Sequence, residues 1–235
     1  MSPEHKAIAA WLALGAAGFL LVPWYALQDS ILSAAWLSDY SGKDNAPAIV
    51  QALAHGRVWL VPLGLGLLAG GALLSPRLDR AVRGGALLAL GSAGFVYSLA
   101  QGFLIGPQGW YFETLAAWFG PLASGQYGMG WGAVLVGTSF AMLFALGLAE
   151  RGFFNGDTFI ASIVVAVALS VALFTFFPVV KILISAFEDS SGFFSANAFF
   201  SRLFTQKIWG AGCLTGGTRC GVAWNTLVLA LLCAV

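Results

Sequence analysis

The chain has 235 residues, of which 59% are hydrophobic and only 9% charged, with a formal net charge of +1. A soluble domain wets its surface with about a quarter charged residues, so this composition excludes an ordinary soluble fold and puts lipid around most of the chain. The near-neutral balance also excludes the basic footprint of a nucleic-acid-binding protein.

A helix needs an apolar run of about 17–25 residues to cross a bilayer, and about six segments qualify or nearly do. Residues 7–27 come first. That run of about 20 residues is longer than the h-region of a signal peptide, and no small-x-small cleavage site follows Tyr25, so it predicts a retained anchor. Residues 58–74 predict the second span and 81–105 the third, with Arg83 shortening its apolar part. Residues 130–149 predict the fourth and 158–184 a long fifth, whose end Pro178 should kink. Residues 222–235 begin a sixth of about 14 residues, too few to cross alone, so the expectation is a helix cut short. Nine tryptophans suit the interfacial belts where amphipathic rings sit at headgroup depth.

Arg77, Arg80 and Arg83 crowd one short loop, and Arg151 lies in the next loop on the same side. Short basic loops stay in the cytoplasm, so residues 75–83 and 150–157 are expected there, with the N-terminus. The loop 106–128 carries no Lys or Arg and belongs outside. Two polar stretches, 28–56 and 188–219, have the size at which loops are functional or interfacial. In the second, Phe199, Phe200, Leu203, Phe204 and Ile208 recur at helical spacing, with Ser195 or Asn197 available as a cap. That predicts a short amphipathic helix whose Phe stripe dips into lipid or packs on neighbouring helices.

After the fifth span the chain reads "KILISAFEDSSGFFSANAFFSRLF", then "CLTGGTRCGVAWNTL" and an apolar run. The pattern of Phe187, Asp189, Gly192, Phe193, Ser195 and Phe199, with Asn225, Thr226 and Leu227 entering the last helix, resembles the permease subunits of binding-protein-dependent, ATP-driven importers. The wording is most similar to the ferric-iron type, and putrescine- and thiamine-type permeases share much of it. The resemblance covers roughly the last quarter of the chain. It implies a multi-pass protein of the bacterial inner membrane whose partners are a separate ATPase subunit, a periplasmic substrate-binding protein, and a second permease half or a second copy. It divides the chain into an N-terminal extension (1–155), a first permease-type helix with its periplasmic loop (156–219), and the start of the permease domain (220–235). The expected fold is an all-α membrane protein, a multi-pass bundle of about six transmembrane helices with the last one truncated.

Few residues point to chemistry. Cys213 and Cys220 flank Thr215, Gly216, Gly217 and Thr218. Outside the cytoplasm they can form a disulfide, or they stand as two free thiols beside a helix start. Cys233 reads as a small apolar filler. Gly66 with Gly70, and Gly128 with Gly132, have the small-xxx-small spacing of close helix contacts. Lys181, one turn from the polar loop, is expected to snorkel, and Glu188 and Asp189 to be a solvated helix-end pair that could meet a cation or a basic partner. The chain has no P-loop, so it does not hydrolyse ATP by that route. No catalytic residue, cofactor site or metal-ligand set can be named, and the Glu-Ala-Ala coupling loop of the permeases is missing. The expected function, as the resemblance implies, is a non-enzymatic transport component for iron(III) uptake. Its rival is a membrane scaffold or assembly subunit.

Overall fold

A computed structural model of the chain describes residues 3–27, 31–33, 35–43, 45–106, 109–122, 128–214 and 220–233. The elements run α1 (Pro3–Leu21), α2 (Ala48–Leu53), α3 (Val61–Ala72), α4 (Arg80–Leu104), β1 (Ile105–Gly106), β2 (Gly109–Trp110), α5 (Glu113–Phe119), α6 (Trp131–Glu150), α7 (Thr158–Val171), α8 (Phe177–Ser185), α9 (Ala196–Leu203), α10 (Gln206–Trp209) and α11 (Val222–Cys233). The fold is all-α: β1 and β2 form a short antiparallel hairpin, the only sheet among the described residues.

Among the described residues three helices are long and apolar enough to cross a membrane: Arg80–Leu104, Trp131–Glu150 and the continuous Thr158–Ser185. The other predicted spans differ from expectation for local reasons. The first helix stops at Leu21 rather than at residue 27, because Pro23 cannot donate to a helix and biases the residue before it to extended backbone. From there the chain joins the loops instead: Trp24 N–H donates to Ala46 O (3.2 Å) and Ala26 N–H to Gly128 O (2.7 Å). The second segment opens with a 3-10 turn, Val58–Leu60, and Pro62 then sits in the first turn of α3, where its missing donor costs nothing. The resulting apolar stretch, Val58–Ala72, is short for a span, as is Val222–Cys233.

Helices α1, α3, α4 and α6 pack as one bundle around α6, whose Val136, Phe140, Leu143 and Leu146 are buried. Glycine sets the closest approach. A Cβ on Gly91 of α4 would run into the α6 backbone at Phe144 and Phe140, and one on Gly147 of α6 would lie 2.7 Å from Leu88 N. Gly66 and Gly70 do face helix neighbours, Phe140, Leu90 and Leu12, as their spacing predicts. Gly128 does not pair with Gly132, since α6 begins after it; Gly132 alone lets the chain at Val22 and Pro23 approach.

Asp157 caps α7 by accepting from Phe159 N–H (2.8 Å) and Ile160 N–H (3.1 Å). Between α7 and α8 the backbone widens into a π turn, Ala172–Phe176. Pro178, in the first turn of α8, supplies the cause: it removes a donor and its ring crowds the preceding turn. Ser195 caps α9 through Ala198 N–H (3.3 Å), and the predicted amphipathic helix breaks at Phe204 before α10.

Candidate functional site

The bundle carries polar groups at both ends. At the end where α1 begins, the Arg83 guanidinium is buried and its Nε donates to both Glu150 oxygens, at 2.8 and 3.0 Å. Its other nitrogens reach Glu4 (3.1 Å) and His5 (3.1 Å), and Arg80 pairs with Glu4 at 3.3 Å. This knot ties α1, α4 and α6 and puts the first turn of α1 beside the basic loop. Sequence reading puts Arg83 in the basic loop at the start of the third span and residue 150 in the next loop; the fold pairs Arg83 with Glu150, the last residue of α6. Their separation in sequence hides the pairing.

At the opposite end an aromatic cluster closes the bundle. Trp59, Trp110 and Phe119 meet with centroids 5.0 to 6.0 Å apart, and Tyr97 donates from α4 to Trp59 O (2.7 Å). Arg57 is only 3% exposed and lies 4.1 Å above the Tyr25 ring. Burial pushes the Tyr25 phenol up to about 12, against the pull of the Arg57 charge and of the nearby Trp59 indole. Among the described residues Arg57 makes no ion pair. In sequence it is one more charge in a long loop; only the fold turns it inward.

Beside this cluster the hairpin meets the segment Phe187–Phe199, and nearly every residue of its motif has a structural task. Asp189 Oδ1 accepts from Ser191 N–H (2.8 Å) and Phe193 N–H (3.1 Å), closing a turn. Gly192 takes φ +82°, a left-handed conformation that favours glycine. Phe187 stacks on Phe199 at 4.2 Å, so that ring packs on protein rather than dipping into lipid, whereas Phe200 and Phe204 are exposed. Phe194 N–H donates to Tyr111 O (2.9 Å), docking the motif onto the hairpin.

Between the two parts lies a cavity of about 350 Å³, lined by Tyr111, Glu113 and Thr114 on one side and by Asp189, Phe193 and Ser195 on the other. Lys181 is half-buried; its Nζ donates to Gly102 O (2.5 Å) and sits 5.1 Å from the Tyr111 ring. Burial and then the adjacent Glu188 carboxylate push the Tyr111 phenol up to about 12. Glu188 and Asp189 are half-buried, so the expectation of a solvated pair is corrected: one carboxylate borders Tyr111 and the other holds a turn. This is a surface that can accept hydrogen bonds from a cationic group. It lacks a nucleophile poised beside a base, and among the described residues no group of three or more His, Cys, Asp or Glu side chains could hold a metal ion.

Cys213 and Cys220 are brought together with Cα atoms 4.8 Å apart, within the span a disulfide bridge needs. Gly216 and Gly217, between the two cysteines, lie outside the described residues. Asn225 Nδ2 donates to Cys220 O (3.4 Å), fastening the bridge to the start of α11. Cys233 is free and exposed. No family model matches this chain, and neither does any curated protein or solved structure.

Proposed function

We propose that this chain is a permease component of an ATP-driven, binding-protein-dependent importer of the bacterial inner membrane, with iron(III) as the substrate. The observation that carries the reading is the motif from Phe187 to Phe199, which folds as one turn-and-cap unit between a long apolar span and the bridged entry to α11. A motif whose residues each hold a loop is a mark of architecture, which is why it supports kinship to a transporter type and names no substrate ligand. In this reading the end of the bundle that carries the half-buried carboxylates and the cavity beside Tyr111 is the one that meets a periplasmic partner. ATP hydrolysis falls to a separate subunit, and a second permease half or copy would complete the path.

A scaffold or assembly subunit is the second reading, favoured by the wide apolar faces of α7, α8 and α11 that nothing among the described residues covers. Deleting the gene in its host and measuring uptake of labelled iron(III), putrescine and thiamine separates the readings. Loss of iron uptake is expected. Loss of one of the other substrates would keep the importer and change its cargo; unchanged uptake of all, with the membrane complex dispersed, would leave the scaffold.

A further inference from the structure

We propose that α9 and α10 form an interfacial anchor lying in the headgroup layer of an anionic membrane, with the rings of Phe200, Phe204 and Trp209 at the top of the acyl chains and Arg202 and Lys207 among the headgroups. This rests on the membrane placement alone and not on the importer reading.

Two pins fix the depth of the segment. α8 ends at Ser185, and the continuous helix that it closes, Thr158–Ser185, has 28 residues. At about 1.5 Å per residue that is about 42 Å, which matches the roughly 40–45 Å of a bilayer with its headgroup layers. A helix of this length that crosses therefore ends at headgroup depth. α9 is held at that end: Phe199 stacks on Phe187, two residues past Ser185, and Arg202 Nη1 donates to Ala186 O (3.4 Å). α10 is held where the next apolar helix begins. Trp224 Nε1, in the first turn of α11, donates to Trp209 O (3.0 Å), and Gly221 N–H donates to Gly210 O (2.7 Å). A segment fastened to the exit of a span and to the entry of a second apolar helix can neither rise into water nor sink to the bilayer centre.

What the segment presents decides its partner. Phe200 and Phe204 stack on each other at 6.2 Å while both stay exposed, and Trp209 and Trp224 are exposed at the α11 end. Such rings gather at headgroup depth. Helices that pack together in lipid approach through small residues, and large rings on this face favour lipid over a partner helix. The charge agrees. From 190 to 235 the sequence has no Asp or Glu and carries Arg202, Lys207 and Arg219. Arg202 and Lys207 are exposed. Glu188 and Asp189, just before the segment, are engaged by Tyr111 and by a backbone turn. A cationic, aromatic segment without carboxylates matches an anionic headgroup layer.

The test is photo-crosslinking of the full chain in vesicles of phosphatidylcholine and phosphatidylglycerol, with benzoylphenylalanine in place of Phe204 and, as a control, of Val167 on the exposed face of α7. Mass spectrometry of the adducts should place Phe204 on the glycerol and first acyl carbons, and Val167 on deeper ones. At Phe204 phosphatidylglycerol should be favoured by about fivefold, the effect of one cation near the surface. Arg202→Gln with Lys207→Gln should erase that preference while the lipid adduct persists. An adduct to a second copy, an adduct only on deep acyl carbons, or no lipid adduct at Phe204 while Val167 gives one overturns the proposal. So does a preference that survives the double variant. If Val167 gives no lipid adduct either, the membrane placement falls, and the anchor with it.

Discussion

Two long apolar helices of this chain meet opposite fates. Within the apolar window of α6, 72% is buried inside the protein; within that of the continuous α7–α8 helix only 6% is, although the second is the more apolar. Hydropathy therefore does not choose which helix becomes the core. In lipid it cannot, because leaving lipid for protein gains no hydrophobic energy. Close packing and polar interlocks choose instead. α6 has Gly147 against α4, Ser139 Oγ donating to Trp11 O (2.8 Å), and Glu150 locked to Arg83. Along α7–α8 the contacts to the bundle lie mainly at the start, where α7 packs on α6 and buries Ala161 and Val165, with a second point where Lys181 reaches Gly102 O and Phe177 packs on Phe103 at 4.8 Å.

The largest expected effect comes from the interlock. Arg83→Met strands the buried Glu150 carboxylate, and breaking one side of a buried pair costs about 3–5 kcal/mol. Arg83→Met with Glu150→Leu should recover most of that, since two apolar groups leave no orphaned charge. Reversible unfolding in mixed micelles measures both. If the double variant is as unstable as the single one, the knot is not what holds α1, α4 and α6 together.

Next is the α4–α6 crossing. Gly91→Leu puts a side chain where the α6 backbone stands, so the helices must separate. Overpacking of this kind costs about 1–3 kcal/mol, and backbone as the obstacle places it at the upper end. Gly71→Leu, where space is open, is the matched control and should cost nothing measurable. Equal losses at both glycines would mean that helix propensity or insertion, rather than the crossing, is being read.

The sequence carried the spans where they are uninterrupted, because length and apolarity set α4, α6 and α7–α8 directly. It failed at Pro23, whose turn ends α1 early, and at Val58, where a 3-10 turn shortens the second segment. It placed the cap at Ser195 correctly among its two candidates, since capping is a local event. It missed Arg83–Glu150, the burial of Arg57 and the Lys181 anchor, each a pairing over long sequence separation that no local spacing records. The motif near the end of the chain was legible as a pattern, but its meaning as a turn, a stack and a cap needed the fold.

A smaller effect is expected where the exposed arm is fastened. Lys181→Met removes a charge-assisted bond to Gly102 O, with a net loss of about 1.5 kcal/mol that loosens α8 without unfolding the bundle. Spin-label distances between α4 and α8 should broaden, while the melting of the bundle stays in place. A sharp, unchanged distance would show that Phe177 on Phe103 suffices to hold the arm.

The smallest effect, at Leu183, sharpens the contrast most. Leu143 in α6 is 0% exposed and Leu183 in α8 is 57% exposed. Truncating a buried Leu to Ala leaves a cavity that costs about 2–5 kcal/mol, while an exposed site away from such packing stays within about 0.5 kcal/mol. Leu143→Ala should therefore destabilise the purified chain, and Leu183→Ala should leave it unmoved. The proposed function adds a second condition. If the face of α8 packs against another permease helix in the assembled importer, Leu183→Ala should weaken co-purification of that partner from native membranes although the isolated chain does not register the change. A partner that binds the Leu183→Ala variant as firmly as the native chain would mean that lipid alone covers this face, and that the exposed arm is an outer wall rather than half of an interface.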